Sequence, residues 1–572
     1  MVAPLQETTP TTAPSRKRPR ASPPPAGRAA PPPPAPLPPA STTSLPSVPV
    51  IPHTPLATLP LHPPSHYTSL AASSPSSIAF QQPFHLTSFS YSPTRELLLE
   101  RERKDEALAV YREPRMGSDL NRGFEEAVWR KGEVDEGLDA LLDTLTEFID
   151  SDSSPPAAAD LLSKISVITW RGMLTKLMLA VYECENVSQG RRGDGWEMNA
   201  MVVDGCLYLE ESNPPAKLQK KAANESSYLL QSYYGYSFES YCTQHASSSS
   251  SHPSAPVPPP PAGPDSFEPP NTNVQWCSVV KTNLGGFRAI VGGEVDCVRP
   301  GAGKEGRPIG TRDFVELKTN LVIQSQRDEV NFERQKLLKH YVQSFLLGVP
   351  TVTVGFRTRP GILAGLQHFN TLEIPRLVRG KPHAWDPLAC LSSAHSLLKF
   401  IHRTISSHPS SIAAETALAA PPSPSPSDQA PDPLPPYPVF RLSFSPSPSA
   451  LGPAGVSVRE LTQREVEEEV LGAKKKKEGE GQERVGFLGE RWVTGVRERM
   501  RRRGEEAEGS EISSAVPSAP PPPSAVPAPP PSISAGRRVP PPPPPPPPAS
   551  TPASSGNEAR GSGSSLLAGL KR

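Results

Sequence analysis

The sequence predicts one domain of mixed helices and strands set between low-complexity segments, on three observations. Pro supplies 77 of 572 residues and only 36% are hydrophobic, too little apolar surface for a chain folded throughout. Apolar residues recur at helical spacing over 123–147 (Phe124, Val128, Leu138, Leu141, Leu142, Leu145) and over 328–347 (Leu338, Tyr341, Val342, Phe345). Apolar, β-branched runs at 287–298 and 313–323, and the alternation Val439-Phe440-Arg441-Leu442-Ser443-Phe444, read as strands.

Residues 1–74 are Pro/Ser/Ala-rich and are expected to be disordered. Their cluster Arg16-Lys17-Arg18-Pro19-Arg20 fits either a nuclear import signal or a solvated charge run. The folded domain is expected over 75–497, with disordered insertions at about 246–272 and 406–436. A charged and Pro-rich tail, 498–572, follows. The Pro tracts at 519–532 and 540–548 suit a polyproline II ligand or a plain solubilising tail. Lys474–Lys477 and Arg501–Arg503 are either weak phosphate contacts or solvated charge.

Composition sets further bounds. The net charge of +1 covers blocks of both signs and singles out no partner. The cysteines (Cys184, Cys206, Cys242, Cys277, Cys297, Cys390) form no CxxC pair, which argues for reduced thiols over a disulfide framework or a zinc site. No run of 18 apolar residues predicts a membrane span, and the first residues lack the apolar core of a secretory signal.

The chemistry concentrates in 285–347. The runs FRAIVGGEVDCV (287–298) and DFVELKTNLVI (313–323) flank a Gly-rich charged loop and are read as neighbouring antiparallel strands. Side chains alternate faces along a strand, so Glu294 and Asp296 are expected on one face, and Glu316 and Lys318 on one face of the next. Carboxylates gathered in apolar strands repel one another unless a cation sits among them. Mg²⁺ or Mn²⁺ suits such oxygens and leaves positions open for phosphate. Two ions about 3.5–4 Å apart activate a water and stabilise a leaving oxygen. Lys318 adds charge able to orient the water or steady the phosphorus. Asp296, nineteen residues, then Glu316-x-Lys318 is the D…ExK signature of metal-dependent nucleases. The alternative is a salt-bridged pair of strands. In the following helix Lys336, Lys339 and Gln343 share a polar face, which either looks toward these strands or is solvated. The literal GxGxxG at 301–306 is set aside: it joins two strands, and Lys304 precedes Glu rather than Ser or Thr.

Taken in order, these motifs resemble the DXO family of decapping nucleases, in particular its fungal-type nuclear members. The resemblance rests on Thr169-Trp170-Arg171-Gly172, Gly235-Tyr236-Ser237-Phe238-Glu239, GGEVDCV, FVELKT, the helix with Lys339 and Gln343, Val354-Gly355-Phe356-Arg357, and VGFLGERW at 485–492. It implies an α+β fold with two mixed β-sheets flanked by helices. It implies that Glu239, Glu294, Asp296, Glu316 and the backbone carbonyl of Leu317 are metal ligands, for two ions of Mg²⁺ or Mn²⁺. Lys318 and Gln343 would act on the water and scissile phosphate, and Arg171 would bind substrate phosphate. The implied activity is hydrolysis at RNA 5′ ends bearing a triphosphate, an unmethylated cap or NAD. The implied setting is the nucleus, with a nuclear 5′–3′ exoribonuclease as partner. Two other readings are an exoribonuclease-stabilising protein with a vestigial site and a metal-dependent DNA endonuclease.

Overall fold

Two β-sheets frame the domain, and the chain crosses from one to the other at the residues singled out above. The computed structural model describes residues 54–73, 78–132, 134–150, 164–245, 267–419, 436–448, 452–472, 474, 484–495 and 498. The cluster at 16–20, the Pro tracts, Lys475–Lys477 and Arg501–Arg503 lie outside the described residues.

With strands numbered in chain order, the larger sheet runs β1 (Ala57–Pro60), β16 (Gly455–Glu460), β15 (Phe440–Ser445), β6 (Trp196–Val203), β7 (Cys206–Glu211), β5 (Val167–Trp170), β10 (Phe287–Glu294), β9 (Gln275–Leu284), β2 (Phe80–Tyr91), β3 (Leu97–Leu98). Strand β5 is parallel to both neighbours, so the sheet is mixed. The smaller sheet runs β14 (Leu363–Asn370), β13 (Thr351–Arg357), β12 (Phe314–Leu321), β11 (Cys297–Val298), β4 (Ala109–Tyr111), β8 (Thr243–His245).

The described helices include α1 (Pro64–Ser73), α2 (Asp139–Asp150), α3 (Arg171–Ser188), α4 (Pro215–Cys242), α5 (Gln326–Asn331), α6 (Leu338–Leu347), α7 (Ile374–Val378), α8 (Pro387–Ser406) and α9 (Pro409–Ala419). Both faces of the large sheet are covered, which is why its central strands are apolar at successive positions. Val167, Leu207, Leu209, Ala289 and Val291 join one core with α3, α6 and α8. Ile168, Tyr208 and Ile290 join another with α2, Phe487, Leu488 and Trp492. On the small sheet, Val315 and Leu317 pack on Tyr234, Phe238 and Tyr241 of α4. The fold is therefore α+β with two mixed sheets flanked by helices.

Several expected elements differ. The helix expected over 123–147 is helical only from Asp139. Gly123 (φ +75°) and Gly137 (φ +51°) turn the chain instead, and Phe124 packs edge-on against Tyr233 at 5.1 Å. Its apolar spacing reflects tertiary contacts. The fold also starts before residue 75: β1 pairs with β16, and Tyr67 and Ala71 of α1 are buried. The insertion expected at 246–272 ends early. Residues 246–266 lie outside the described residues, whereas Thr272 accepts a hydrogen bond from the Arg130 N–H at 2.6 Å. The runs at 287–298 and 313–323 do not form one hairpin. The first splits into β10, in the large sheet, and β11, which alone pairs antiparallel with β12. The helix over 328–347 is present but contains a π-helical turn, Phe332–Leu337. There the buried Glu333 takes Lys381 and His383, each at 2.6 Å. Lys474 is a buried ion-pair partner, neither a phosphate contact nor solvated charge.

The Pro/Ser-rich insertion expected from 406 instead begins as α9, which docks through Glu415. Its carboxylate accepts the Asp204 N–H at 2.9 Å, in the Asp204-Gly205 turn joining β6 and β7. Burial pushes this carboxyl up to about 7. A folded pKa above the unfolded value means the contribution is fully present below the ordinary carboxylate range and is lost as pH rises through about 7. The drop in thermal midpoint between about pH 5 and about pH 8 is therefore expected to be smaller in Glu415→Gln than in wild type, measured by scanning calorimetry.

Candidate active site

Two adjacent glycines prepare the site. A Cβ on Gly292 would lie 2.8 Å from the Trp170 ring, and one on Gly293 would lie 2.7 Å from Leu347 and 3.1 Å from the Arg171 Cβ. Bare backbone here lets the start of α3 and the end of α6 lie directly on β10. Glu294 then ends β10, and the chain leaves the large sheet. Asp296 lies in the crossing, where its Oδ2 accepts the Leu317 N–H at 2.6 Å and so ties the crossing to β12. Glu316 and Lys318 share one face of β12, as the alternation predicts, with Lys318 Nζ 2.7 Å from Glu316 Oε1. Lys318 also stands 3.5 Å from Asp296 and donates to the Leu317 carbonyl at 2.9 Å. Arg171 donates to Glu316 Oε2 at 3.0 Å.

Glu239 comes from α4. Its neighbour Phe238 fills the space above Gly355, where a Cβ would sit 2.7 Å from the ring's Cζ. Gly355→Ala is expected to displace this ring and cost about 1–3 kcal/mol, read by denaturant unfolding. The same shift would move Glu239, the next residue on α4.

Arg171, Glu239, Glu294, Asp296, Glu316 and Lys318 thus converge where the sheets meet. Gln343 is half-buried on α6, one turn before Leu347, which covers Gly293. Of the polar residues before it, Lys336 in the π-helical turn donates to Asn320 of β12 at 2.9 Å, while Lys336 and Lys339 both remain exposed. His340, which the sequence reading passed over, is buried among Lys318, Glu316, Lys336 and Lys339. Burial holds its ring neutral, with its pKa lowered to about 3, and neither ring nitrogen has a hydrogen-bond partner among the described residues. A polar residue within a buried helix face was its only signal.

Four carboxylates face two cations here, an excess of two negative charges if all ionise. The imbalance shows in the acidities. Burial, then the pull of Lys318 against repulsion from Glu316 and Glu294, leaves Asp296 at about 7. Burial and repulsion from Asp296 and Glu294 raise Glu239 well above the carboxylate range, and burial also raises Glu294. Burial opposes ionisation of Glu316 too, but Arg171 and Lys318 outweigh it and hold it at about 2. Among the described residues, no three acidic, His or Cys side chains already form a cation cage. Lys318 and Arg171 lie between the carboxylates instead. The surplus of buried, mutually repelling oxygens fits a hard divalent cation.

Two cavities open onto this seam. One of about 450 Å³ is lined by Glu239, Ser240, Trp276, Glu294 and Asp296. The other, of about 600 Å³, sets Arg130, Lys131, Lys217 and Lys221 against Asp135, Glu136, Glu210 and Glu211 beside Trp129, and also reaches Glu294.

An ExK strand beside a carboxylate-bearing sheet crossing, open to a cavity lined by aromatic side chains and charges of both signs, defines a nuclease of the D…ExK class. A family model described as RAI1 like PD-(D/E)XK nuclease matches residues 81–449. The chain belongs to this family, and is a hydrolase. It is 36% identical over 466 residues to a protein of Mycosarcoma maydis named decapping nuclease RAI1, covering 72% of this chain and 86% of that one. Two solved structures share the fold. Rai1 of Scheffersomyces stipitis, in complex with (3′-NADP)⁺ and calcium ion, has a TM-score of 0.53 at 21% identity, over 73% of this chain and 96% of that one. Rai1 of Candida albicans, in complex with pU5 and Mn²⁺, has a TM-score of 0.52 at 20% identity, over 78% and 99%.

Proposed function

We propose that this nuclease removes 5′-terminal groups from RNA: pyrophosphate from 5′-triphosphate ends, and incomplete (unmethylated) or NAD caps. The observation that carries this reading is the meeting of Glu294 and Asp296 with Glu316 and Lys318 at the seam between the sheets. The name of the Mycosarcoma relative and the ligands of the two Rai1 structures support the substrate class.

Glu239, Glu294, Asp296, Glu316 and the Leu317 carbonyl would hold two ions of Mg²⁺ or Mn²⁺. Bound there, such ions supply an activated water and charge stabilisation for the leaving oxygen. Arg171, at the head of α3, binds substrate phosphate while keeping Glu316 ionised. Lys318 brings positive charge to the scissile phosphate, and Gln343 orients the attacking water from α6. Lys131 and Lys221, both exposed along the larger cavity, would add phosphate contacts that weaken with salt. The family resemblance and the cluster at 16–20 support action in the nucleus, alongside stabilisation of a nuclear 5′–3′ exoribonuclease.

The test is product analysis with RNAs carrying a 5′-triphosphate, an unmethylated cap, a methylated cap or NAD. Metal-dependent release of pyrophosphate or a cap nucleotide, stopped by chelator and absent in Glu294→Ala with Asp296→Ala, is expected. No release from any of them by folded protein would overturn the decapping reading in favour of the exoribonuclease-stabilising role. Equal cleavage of single-stranded DNA would favour an endonuclease.

A further inference from the structure

We propose that Gln275 and Arg95 form a positioning arm that fixes the Glu294 carboxylate at the seam, a reading that rests on Glu294 serving as a metal ligand. Strand register sets up the arm. Tyr91 of β2 lies opposite Gln275 of β9, and Glu294 of β10 lies opposite Cys277 of β9, two residues further on. Tyr91, Gln275 and Glu294 therefore stand on three neighbouring strands. Gln275 and Cys277 share a face of β9, so the Gln275 side chain is the diagonal neighbour of Glu294, within reach of its carboxylate, and the two residues line the same two cavities. Its Oε1 accepts from Arg95 Nη1 at 2.6 Å. An amide oxygen engaged by a guanidinium leaves the amide N–H groups for the carboxylate, so Arg95 decides which way Gln275 faces.

Arg95 is itself held on every side. Its Nε and Nη2 donate to the two oxygens of Glu136 at 2.9 and 2.8 Å. Its Nη1 also donates to the Asn273 carbonyl at 2.9 Å. The guanidinium stacks 3.4 Å from the centre of the Tyr91 ring, and the Tyr91 hydroxyl donates to Glu136 at 3.3 Å. The backbone points the same way. Among the described residues only Arg95 (φ +67°) and Asp204 are non-glycine residues with positive φ. Asp204 sits in an Asp-Gly hairpin turn that favours this conformation. Arg95 closes the three-residue hairpin loop between β2 and β3, in which a turn shut by the Arg95 N–H on the Ser92 carbonyl at 2.9 Å is followed by a left-handed residue, so the loop itself fixes where Arg95 starts.

The arm does what a direct cation would not. Arg171 contacts Glu316 and attracts Glu294 without touching it, whereas the neutral amide of Gln275 would orient the Glu294 carboxylate and leave its charge for a metal ion. Without the arm, repulsion from Glu316 favours other rotamers of Glu294. Tyr91, Gln275 and Glu294 also line both cavities, so the arm is the wall between them.

Mn²⁺ alone, titrated calorimetrically into the full chain, tests the arm, with thermal midpoints of the metal-free proteins as the control for folding. Gln275→Leu, close in volume, is expected to weaken Mn²⁺ binding by about 10- to 100-fold with little change in midpoint. Arg95→Lys, which keeps the charge but loses the fork, should weaken it less. The two combined should bind no worse than Gln275→Leu alone, because Arg95 acts through Gln275. Wild-type Mn²⁺ affinity in Gln275→Leu, with affinity lost in Glu294→Ala, would overturn the arm and leave the metal site standing. Losses that multiply in the combined variant would overturn the relay. Wild-type affinity in Glu294→Ala would instead remove the metal-ligand reading on which the arm depends.

Discussion

Exchanging Glu294→Gln and Asp296→Asn together is expected to lower kcat/KM on 5′-triphosphate RNA by about 10³-fold or more while the protein stays folded. The two effects separate for a physical reason. The amides keep the hydrogen-bonding shape of the carboxylates, and the amide oxygen introduced by Asp296→Asn would still accept the Leu317 N–H that ties the crossing to β12. What goes is charge. Two of four buried negative groups disappear, and burial already pushes both of them toward protonation. Relief of that repulsion opposes any lost attraction to Lys318, so the metal-free thermal midpoint should hold or rise. Metal binding, which needs the charge, should fail. Pyrophosphate release and a calorimetric scan on one preparation check both halves. Undiminished turnover would mean that the chemistry lies elsewhere.

Lys474→Met is expected to be the most destabilising single change outside the site. The Lys474 side chain is 3% exposed and lies 2.8 Å from Glu210, itself 1% exposed, and 3.7 Å from Asp135. Removing one partner of a buried pair leaves the other charge uncompensated, at a cost of about 3–5 kcal/mol. Burial already lifts Glu210 to about 7 despite the lysine, and loss of Lys474 would lift it further. A carboxyl raised in the folded state loses its stabilising contribution as pH climbs through that pKa. The deficit of Lys474→Met should therefore be larger at about pH 8 than at about pH 5.5, and adding Glu210→Gln should recover much of it. Denaturant titrations at the two pH values would measure this, and a loss independent of pH would contradict it. The damage should reach the active site. A Cβ on Gly137 would overlap the Lys474 ammonium, and the Gly137 carbonyl accepts the Trp170 indole N–H at 2.7 Å, one residue before Arg171.

Much of the site was legible because charge in apolar strands is rare enough to stand out. Glu316 and Lys318 obey a rule of period two within β12, so their shared face followed from spacing alone. Glu294 and Asp296 do meet Glu316 and Lys318, but not as facing strands: they lie where the chain ends one sheet and enters the other. Glu239 lies on a helix some fifty residues upstream, and spacing said nothing about it; only the family resemblance named it. Arg95 and Gln275 carried no motif. Their roles come from strand register and a hairpin turn that no local pattern encodes.

The sequence by itself determined the elements whose cause is local. The strands β10 and β12, the helical run after 328, and the glycines of β10 follow from periodicity, polarity and side-chain size within a few residues. Tertiary structure alone decided which sheet each strand joined. It decided that 123–138 would not be helical, that Lys474 would be buried, and that Tyr91, Gln275 and Glu294 would stand on three neighbouring strands. These depend on contacts between residues tens to hundreds apart, whose free energy is gained only when both partners arrive together.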